Sequence, residues 1–174
     1  KHAEIVACYG GTPILLDLSK VELDKMADAL NKKYNVSALG FSVDITNEDE
    51  VKNNAIKIRE LFKKIDCLVN NAANNPKVED SSSYNFSRLE NFPLDIWNKD
   101  IAVGLTGSFL CCKYYGFYIS KNPNGGSIVN ISSDLGLIAP DQSLYQKSEL
   151  MESQQSVKPI TYSIVKTGII GLTR

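Results

Sequence analysis

Tyr162 and Lys166 stand four residues apart in Thr161-Tyr-Ser-Ile-Val-Lys-Thr-Gly168, a segment with helical character. Residues at i and i+4 share one face of a helix, which makes the phenol and the ammonium neighbours. A free tyrosine titrates near pH ~10, too high for efficient proton transfer at neutrality, and a nearby ammonium favours the phenolate. Such a phenol can give a proton to a carbonyl oxygen or take one from a hydroxyl. The same logic rejects Tyr145, whose i+4 partner is Glu149, because a carboxylate makes a phenol harder to ionise. Ser132 and Ser133 follow the strand pattern 127–131. Either hydroxyl could hold a substrate oxygen at a strand's C-terminal end, where ligands collect in open α/β sheets.

Other chemistries find little support. His2 is the only histidine, so a Ser-His-Asp triad or a multi-histidine metal site would have to be built on that one residue. The four cysteines, Cys8, Cys67, Cys111 and Cys112, have the spacing of neither a zinc site nor a disulfide framework. They read as reduced core thiols of a cytoplasmic protein. A net charge of −1 gives no case for nucleic acid or an anionic membrane as partner. No apolar run approaches the ~20 residues of a membrane span, and residues 1–10 lack the pattern of a signal peptide.

The elements that must position these groups alternate between strand and helix. Residues 1–9 read as the tail of an amphipathic helix stopped by Gly10-Gly11. Residues 13–16 form a buried-strand pattern ending at Asp17. Ser19-Lys-Val-Glu22 has capping-box spacing ahead of a helix with Leu23, Met26, Ala27 and Leu30 on one face. A second strand spans 36–43 and ends at Asp44; Thr46-x-x-Asp49 then caps a helix with Val51, Ala55, Ile58 and Phe62 inward. Residues 65–69 form a third strand and 74–91 a polar loop containing Ser81-Ser82-Ser83. From Pro93 to about Ser120 the pattern is a helix with one or more breaks. A turn at 122–126 leads to a fourth strand at 127–131, a long polar loop at 134–158, and a helix from Thr161. This alternation predicts a parallel sheet covered by helices on both faces.

In a dinucleotide-binding fold, the acidic residue that holds the adenosine ribose lies about 20 residues beyond a glycine-rich phosphate turn. Asp17 is the candidate, and counting back from it passes Lys1. The sequence therefore reads as one dinucleotide-binding domain over residues 1–174. It is expected to be incomplete at both ends, without the first strand, its glycine-rich loop and the C-terminal strands. A carboxylate at Asp17 would accept from both ribose hydroxyls of NAD and repel the extra phosphate of NADP. Ser19 and Lys20 could soften that preference.

Three patterns in this order resemble the short-chain dehydrogenase/reductase family: Asn70-Asn71-Ala72-Ala73 after a strand, Gly126-Ser-Ile-Val-Asn-Ile-Ser-Ser133, and Tyr162-x-x-x-Lys166 followed by Gly168-Ile-Ile-Gly-Leu-Thr-Arg174. The resemblance implies a Rossmann-like doubly wound sheet and NAD(P)-dependent interconversion of a secondary alcohol and a ketone. It implies Ser133, Tyr162 and Lys166 as the catalytic residues and selects Ser133 over Ser132. It also implies cofactor contacts from Asp17, Asp44, Ile45, Asn70 and Ala72, joined by Tyr162 and Lys166, with NAD preferred to NADP. A small polar substrate and a homo-oligomer formed through its long helices are expected too. More narrowly, residues 92–113 and the loop before Tyr162 resemble flagellin-modification oxidoreductases, associated with surface sugars, which implies a sugar derivative as substrate.

Two departures stand out. The family carries an asparagine in a segment of the form Asn-Leu-x-Gly, where it helps anchor the lysine through water. Here the segment is Gly104-Leu105-Thr106-Gly107. Ser133 and Tyr162 are also farther apart in sequence than the family implies, the surplus lying in 141–158, which is expected to cover or select a substrate. Gly104 keeps open an alternative, a degenerate member that binds dinucleotide as a sensor or scaffold without turnover.

Overall fold

The computed structural model describes residues 1–74 and 87–174. The serine run expected in a loop, Ser81-Ser82-Ser83, lies outside the described residues. Contacts group the chain into two compact units, Lys1–Leu61 and Phe62–Arg174.

The first unit runs α1 (His2–Cys8), β1 (Ile14–Asp17), α2 (Lys20–Tyr34), β2 (Leu39–Ser42) and most of α3 (Glu48–Phe62). Gly10, at φ +77, supplies the left-handed turn that ends α1. The Ser19 hydroxyl accepts from the Glu22 N–H at 3.4 Å, as the capping spacing predicts. Asn35, at φ 54, closes α2 by donating its N–H to the Asn31 carbonyl. The strands β1 and β2 pair in parallel, Ile14 opposite Leu39 and Asp17 opposite Ser42. Ala7, Ala27, Leu30 and Ala38 form a core of mainly small side chains, and this lets helix and strand backbones approach closely. At Gly40, an added Cβ would stand 2.6 Å from the Leu23 Cβ.

Two local expectations are corrected here. The second strand is shorter than 36–43 because the Asn31 side chain pairs with Ala38, accepting from its N–H at 2.6 Å and donating to its carbonyl at 3.1 Å. The cap of α3 is Asn47 rather than Thr46. The Asn47 Oδ1 accepts from the N–H groups of Asp49 and Glu50, while Thr46 turns back to donate to Asp44.

The second unit contains β3 (Cys67–Asn70), α4 (Leu94–Ile101), α5 (Ser108–Ile119), β4 (Ser127–Asn130) and α6 (Ile160–Thr173). The strands β3 and β4 are parallel, with Asn70 opposite Asn130. The expected helix break is a π-helical turn, Ala102–Gly107, joining α4 to α5. Leu110, Cys111, Tyr115 and Ile119 on α5 and Val165 and Ile169 on α6 are buried.

The loop 134–158 is more ordered than its polar composition suggests, with 3₁₀ turns at Asp134–Gly136, Gln142–Tyr145 and Glu152–Gln154. Glutamine side chains lace it together. The Gln155 amide donates to the Lys147 and Leu150 carbonyls and accepts from the Lys147 N–H. The Gln142 Oε1 accepts from the Lys158 N–H at 2.8 Å. All four cysteines are free thiols, as expected, but only Cys111 is buried and Cys112 half-buried; Cys8 and Cys67 are exposed and do not belong to the core. Burial pushes the Cys111 thiol up to about 12.

Candidate active site

The end of β4 and the body of α6 meet at one residue, Lys166. Its ammonium donates to the Ile131 carbonyl at 2.7 Å, while its own carbonyl accepts from the Ser132 hydroxyl at 2.8 Å. Gly136 lies so close that a Cβ there would stand 2.8 Å from the Lys166 carbonyl carbon. Thr167 Oγ1 donates to the Gly136 carbonyl at 2.9 Å. The strand end and the 3₁₀ turn after it are thus fixed to α6 around the lysine.

Lys166 is 8% exposed, and desolvation pulls its ammonium below the ordinary lysine range. Its Nζ stands 5.7 Å from the centroid of the Tyr162 ring. A second ammonium, Lys158, lies closer over that ring, at 3.9 Å. Tyr162, Lys158 and Lys166 line a small cleft together with Ala73, Asn74 and Asp100.

Ser133 opens the 3₁₀ turn Asp134–Gly136 and does not itself line this cleft. Its hydroxyl donates to Asp134 Oδ1 at 2.8 Å and accepts from the Leu135 N–H at 3.2 Å. The Ser133 hydroxyl first, and then the Leu135 N–H, which also donates to Asp134 Oδ1 at 2.8 Å, hold the Asp134 carboxyl below its usual range. A substrate oxygen would have to draw the Ser133 proton away from Asp134. Ser132 instead spends its hydroxyl on the backbone of α6, which gives it a structural task.

Asn70 is buried, and its amide is committed to the interior of the unit. It donates to Asn130 Oδ1 at 2.8 Å, with longer contacts to the Ser108 carbonyl and Cys112 Sγ. Ala72 is exposed just beyond β3. The remaining expected cofactor residues belong to the first unit. Asp17 is exposed at the last position of β1, its carboxylate accepting from the Ser19 N–H at 3.1 Å. Asp44 accepts from the N–H and hydroxyl of Thr46, at 2.9 and 2.7 Å, and Ile45 follows it half-buried.

Gly104 fits its neighbour closely: a Cβ there would stand 2.5 Å from Val165 Cγ1. The residue before Lys166 fills the space an asparagine would need. Gly104→Asn is therefore expected to cost about 1–3 kcal/mol by overpacking, without raising turnover. Chemical denaturation and initial rates on the same preparation check this; a stable, faster variant would refute it.

Sequence reasoning missed two residues of the cleft. Lys158 is i−4 from Tyr162 but precedes the helix, whose N-cap is Pro159. Asp100 reads as one of several charges in Asp95-Ile-Trp-Asn-Lys-Asp100, yet it is 7% exposed. Its place beside Trp97 and Ile101, one turn before Gly104, was the available signal.

Comparison with known proteins bears on the fold and the family. Solved structures with the same architecture include levodione reductase, with TM-score 0.78 and 22% identity over 99% of this chain and 57% of that one. NAD+-bound xylitol dehydrogenase follows at TM-score 0.73 and 24% identity, covering 98% of this chain and 55% of that one. These likenesses show a Rossmann-like, doubly wound α/β fold. The short chain dehydrogenase family model matches residues 1–148, and the chain belongs to that family. Among curated relatives, the oxidoreductase YxbG of Bacillus subtilis is 34% identical over 148 residues, 84% of this chain and 50% of its own. The NAD-dependent glycerol dehydrogenase of Listeria innocua is 26% identical over 172 residues, 99% of this chain and 56% of its own. The chain spans about half the length of the curated relatives it matches. The family match stops within the long loop, whereas the second alignment continues through Tyr162 and Lys166.

Proposed function

We propose that this chain carries the proton-transfer centre and part of the NAD site of an oxidoreductase that interconverts a secondary alcohol and a ketone. The observation behind this reading is the Tyr162–Lys166 pair at the end of a parallel strand, in a member of the short chain dehydrogenase family. Tyr162 Oη gives a proton to the carbonyl oxygen in reduction and takes it from the hydroxyl in oxidation. Lys166, with three donors of which one goes to Ile131, keeps positive charge beside the phenol and donors for a ribose. Ser133 orients the substrate oxygen.

Each unit by itself offers a group of the kind a nicotinamide dinucleotide takes, the first an exposed carboxylate at the end of β1 and the second a buried ammonium with donors beyond the one given to Ile131. When bound, such a cofactor supplies the hydride. Asp17 would hold its ribose hydroxyls and favour NAD, with Asp44, Ile45, Asn70 and Ala72 contributing at the adenosine side. In this reading the substrate is a small, polar molecule such as a sugar derivative from surface-polysaccharide or flagellin-modification chemistry. The Lys158 ammonium on the cleft wall supports a polar substrate. Phe109 and Phe117, both about half exposed on α5, support a homo-oligomer formed through that helix. Among the described residues no helix is long and apolar enough to cross a membrane.

The test is titration of the intact protein with NAD and NADP beside its Asp17→Ala variant. NAD should bind more tightly than NADP. The substitution should weaken NAD by about 10–100-fold, the worth of charge-assisted hydrogen bonds, and narrow the gap. Absence of binding by either nucleotide overturns the assignment. Gly104 favours the one competing reading, a nucleotide-binding scaffold, which predicts binding with no turnover of any alcohol or ketone.

A further inference from the structure

The helix α6 is held at two successive turns, first by α4 and then by the π-helical turn that follows it. At one, the Thr161 hydroxyl donates to Asp100 Oδ2; at the other, Gly104 abuts Val165. Each partner pair is displaced by four residues, 100 to 104 and 161 to 165. The residue after each α6 anchor is a member of the reactive pair, Tyr162 or Lys166. Thr161 is 1% exposed, which leaves its hydroxyl no water as an alternative acceptor. A buried carboxylate is a costly way to join two helices, since an apolar pair of similar volume would serve at less expense in desolvation. Its location on the wall of the cleft accounts for it. From α6 and the loop before it, the titratable groups on that wall are Tyr162, Lys166 and Lys158, and from Asp100's own side none is added, since Ala73, Asn74 and Gly104 are uncharged. The neighbouring Lys99 is exposed and pairs with Asp95.

We propose that Asp100 is a positioning residue for Tyr162, acting through the Thr161 hydroxyl. The assignment rests on the dehydrogenase reading above. The Asp100–Thr161 bond sets the axial position of the first turn of α6, and with it the place of the phenol relative to Lys166 and the substrate oxygen. Asp100 itself touches none of the reacting atoms.

The experiment is a double-mutant cycle in the intact protein on Asp100→Ala and Thr161→Val, with Asp100→Asn as the conservative control. Each single variant should lower kcat about tenfold or more, because small displacements of a proton donor are expensive, and change the KM for NAD less than about threefold. The double variant should be no slower than the slower single one, since both remove the same link; independent effects would multiply instead. The pH at half-maximal kcat should move in both single variants. Asp100→Asn, which keeps an oxygen for the Thr161 hydroxyl, should recover most of kcat. Single variants that match the wild type in kcat and pH profile overturn the assignment whatever their melting temperatures, as do multiplicative losses in the double variant. A wild type without turnover overturns the dehydrogenase reading and this assignment together, so the two failures are distinguishable.

Discussion

Tyr162→Phe is expected to lower kcat by about 10²–10⁴-fold, the range for loss of a positioned general acid–base group. It should leave folding nearly unchanged and weaken NAD by much less than it lowers kcat. The substitution removes one oxygen and keeps the ring. Contacts of the ring face with the ammonium groups of Lys158 and Lys166, at 3.9 and 5.7 Å, depend on the π-system and persist in phenylalanine. The residual rate should also lose the pH dependence that belongs to the phenol. Steady-state rates across pH, with fluorescence titration of NAD and a thermal melt on the same sample, separate the outcomes. A variant within about tenfold of wild type would show that the proton passes through another group.

Lys166→Met should be comparably damaging to turnover, at about 10²-fold or more, with a different signature in stability. The ammonium is buried, and its one hydrogen bond recorded among the described residues goes to the Ile131 carbonyl. Methionine of similar length removes the desolvation cost and also leaves that carbonyl without its donor. The two effects oppose, so the net change should stay within about 2 kcal/mol. The pH dependence fixes the sign. The folded-state pKa of Lys166 is lowered by burial, so the unfolded chain binds this proton more tightly. The cost to folding is complete below the folded pKa and disappears above the unfolded one. Wild type should therefore gain stability relative to Lys166→Met as the pH rises through that interval. Denaturant melts of the apo protein at several alkaline pH values would show it; a stability difference independent of pH would mean that the ammonium is not desolvated in solution. Lost turnover with retained stability marks a group kept for chemistry at some expense to the fold.

The parts of this molecule governed by local chemistry were legible in the sequence. Ser19 caps α2 because a serine oxygen three residues before Glu22 can reach its N–H. Gly10 ends α1 because it tolerates a positive φ. Tyr162 and Lys166 share a face through helical spacing alone. Tertiary competition decided the rest. Asn47 displaced Thr46 as the cap of α3 once Thr46 found an acceptor in Asp44. Residues 36–38 left the strand because Asn31, seven positions before Ala38, offered its backbone both a donor and an acceptor. The order of the loop 134–158 depends on glutamine amides bonding the backbone over eight and sixteen positions, which no local pattern encodes. Exposure misled for Cys8 and Cys67, which sit in apolar runs yet face outward. Asp100 was hidden by its company: charges flank it on a helix whose exposed side they fill, and its place beside Trp97 and Ile101 hinted at the inward turn that the packing against α6 shows.

The π-helical turn at Ala102–Gly107 has a consequence for the length of the chain as well as its composition. A helix widened by one residue acts as a phase shift, letting α4 and α5 each keep its own inward face although the two faces are out of step. Removing a single residue there would restore uninterrupted 3.6-residue periodicity and rotate α4 by roughly 100° about its axis. Asp100 would then point away from Thr161 while every residue of α4 and α5 kept its identity. The segment 102–107 thus works as a spacer whose count is part of the site.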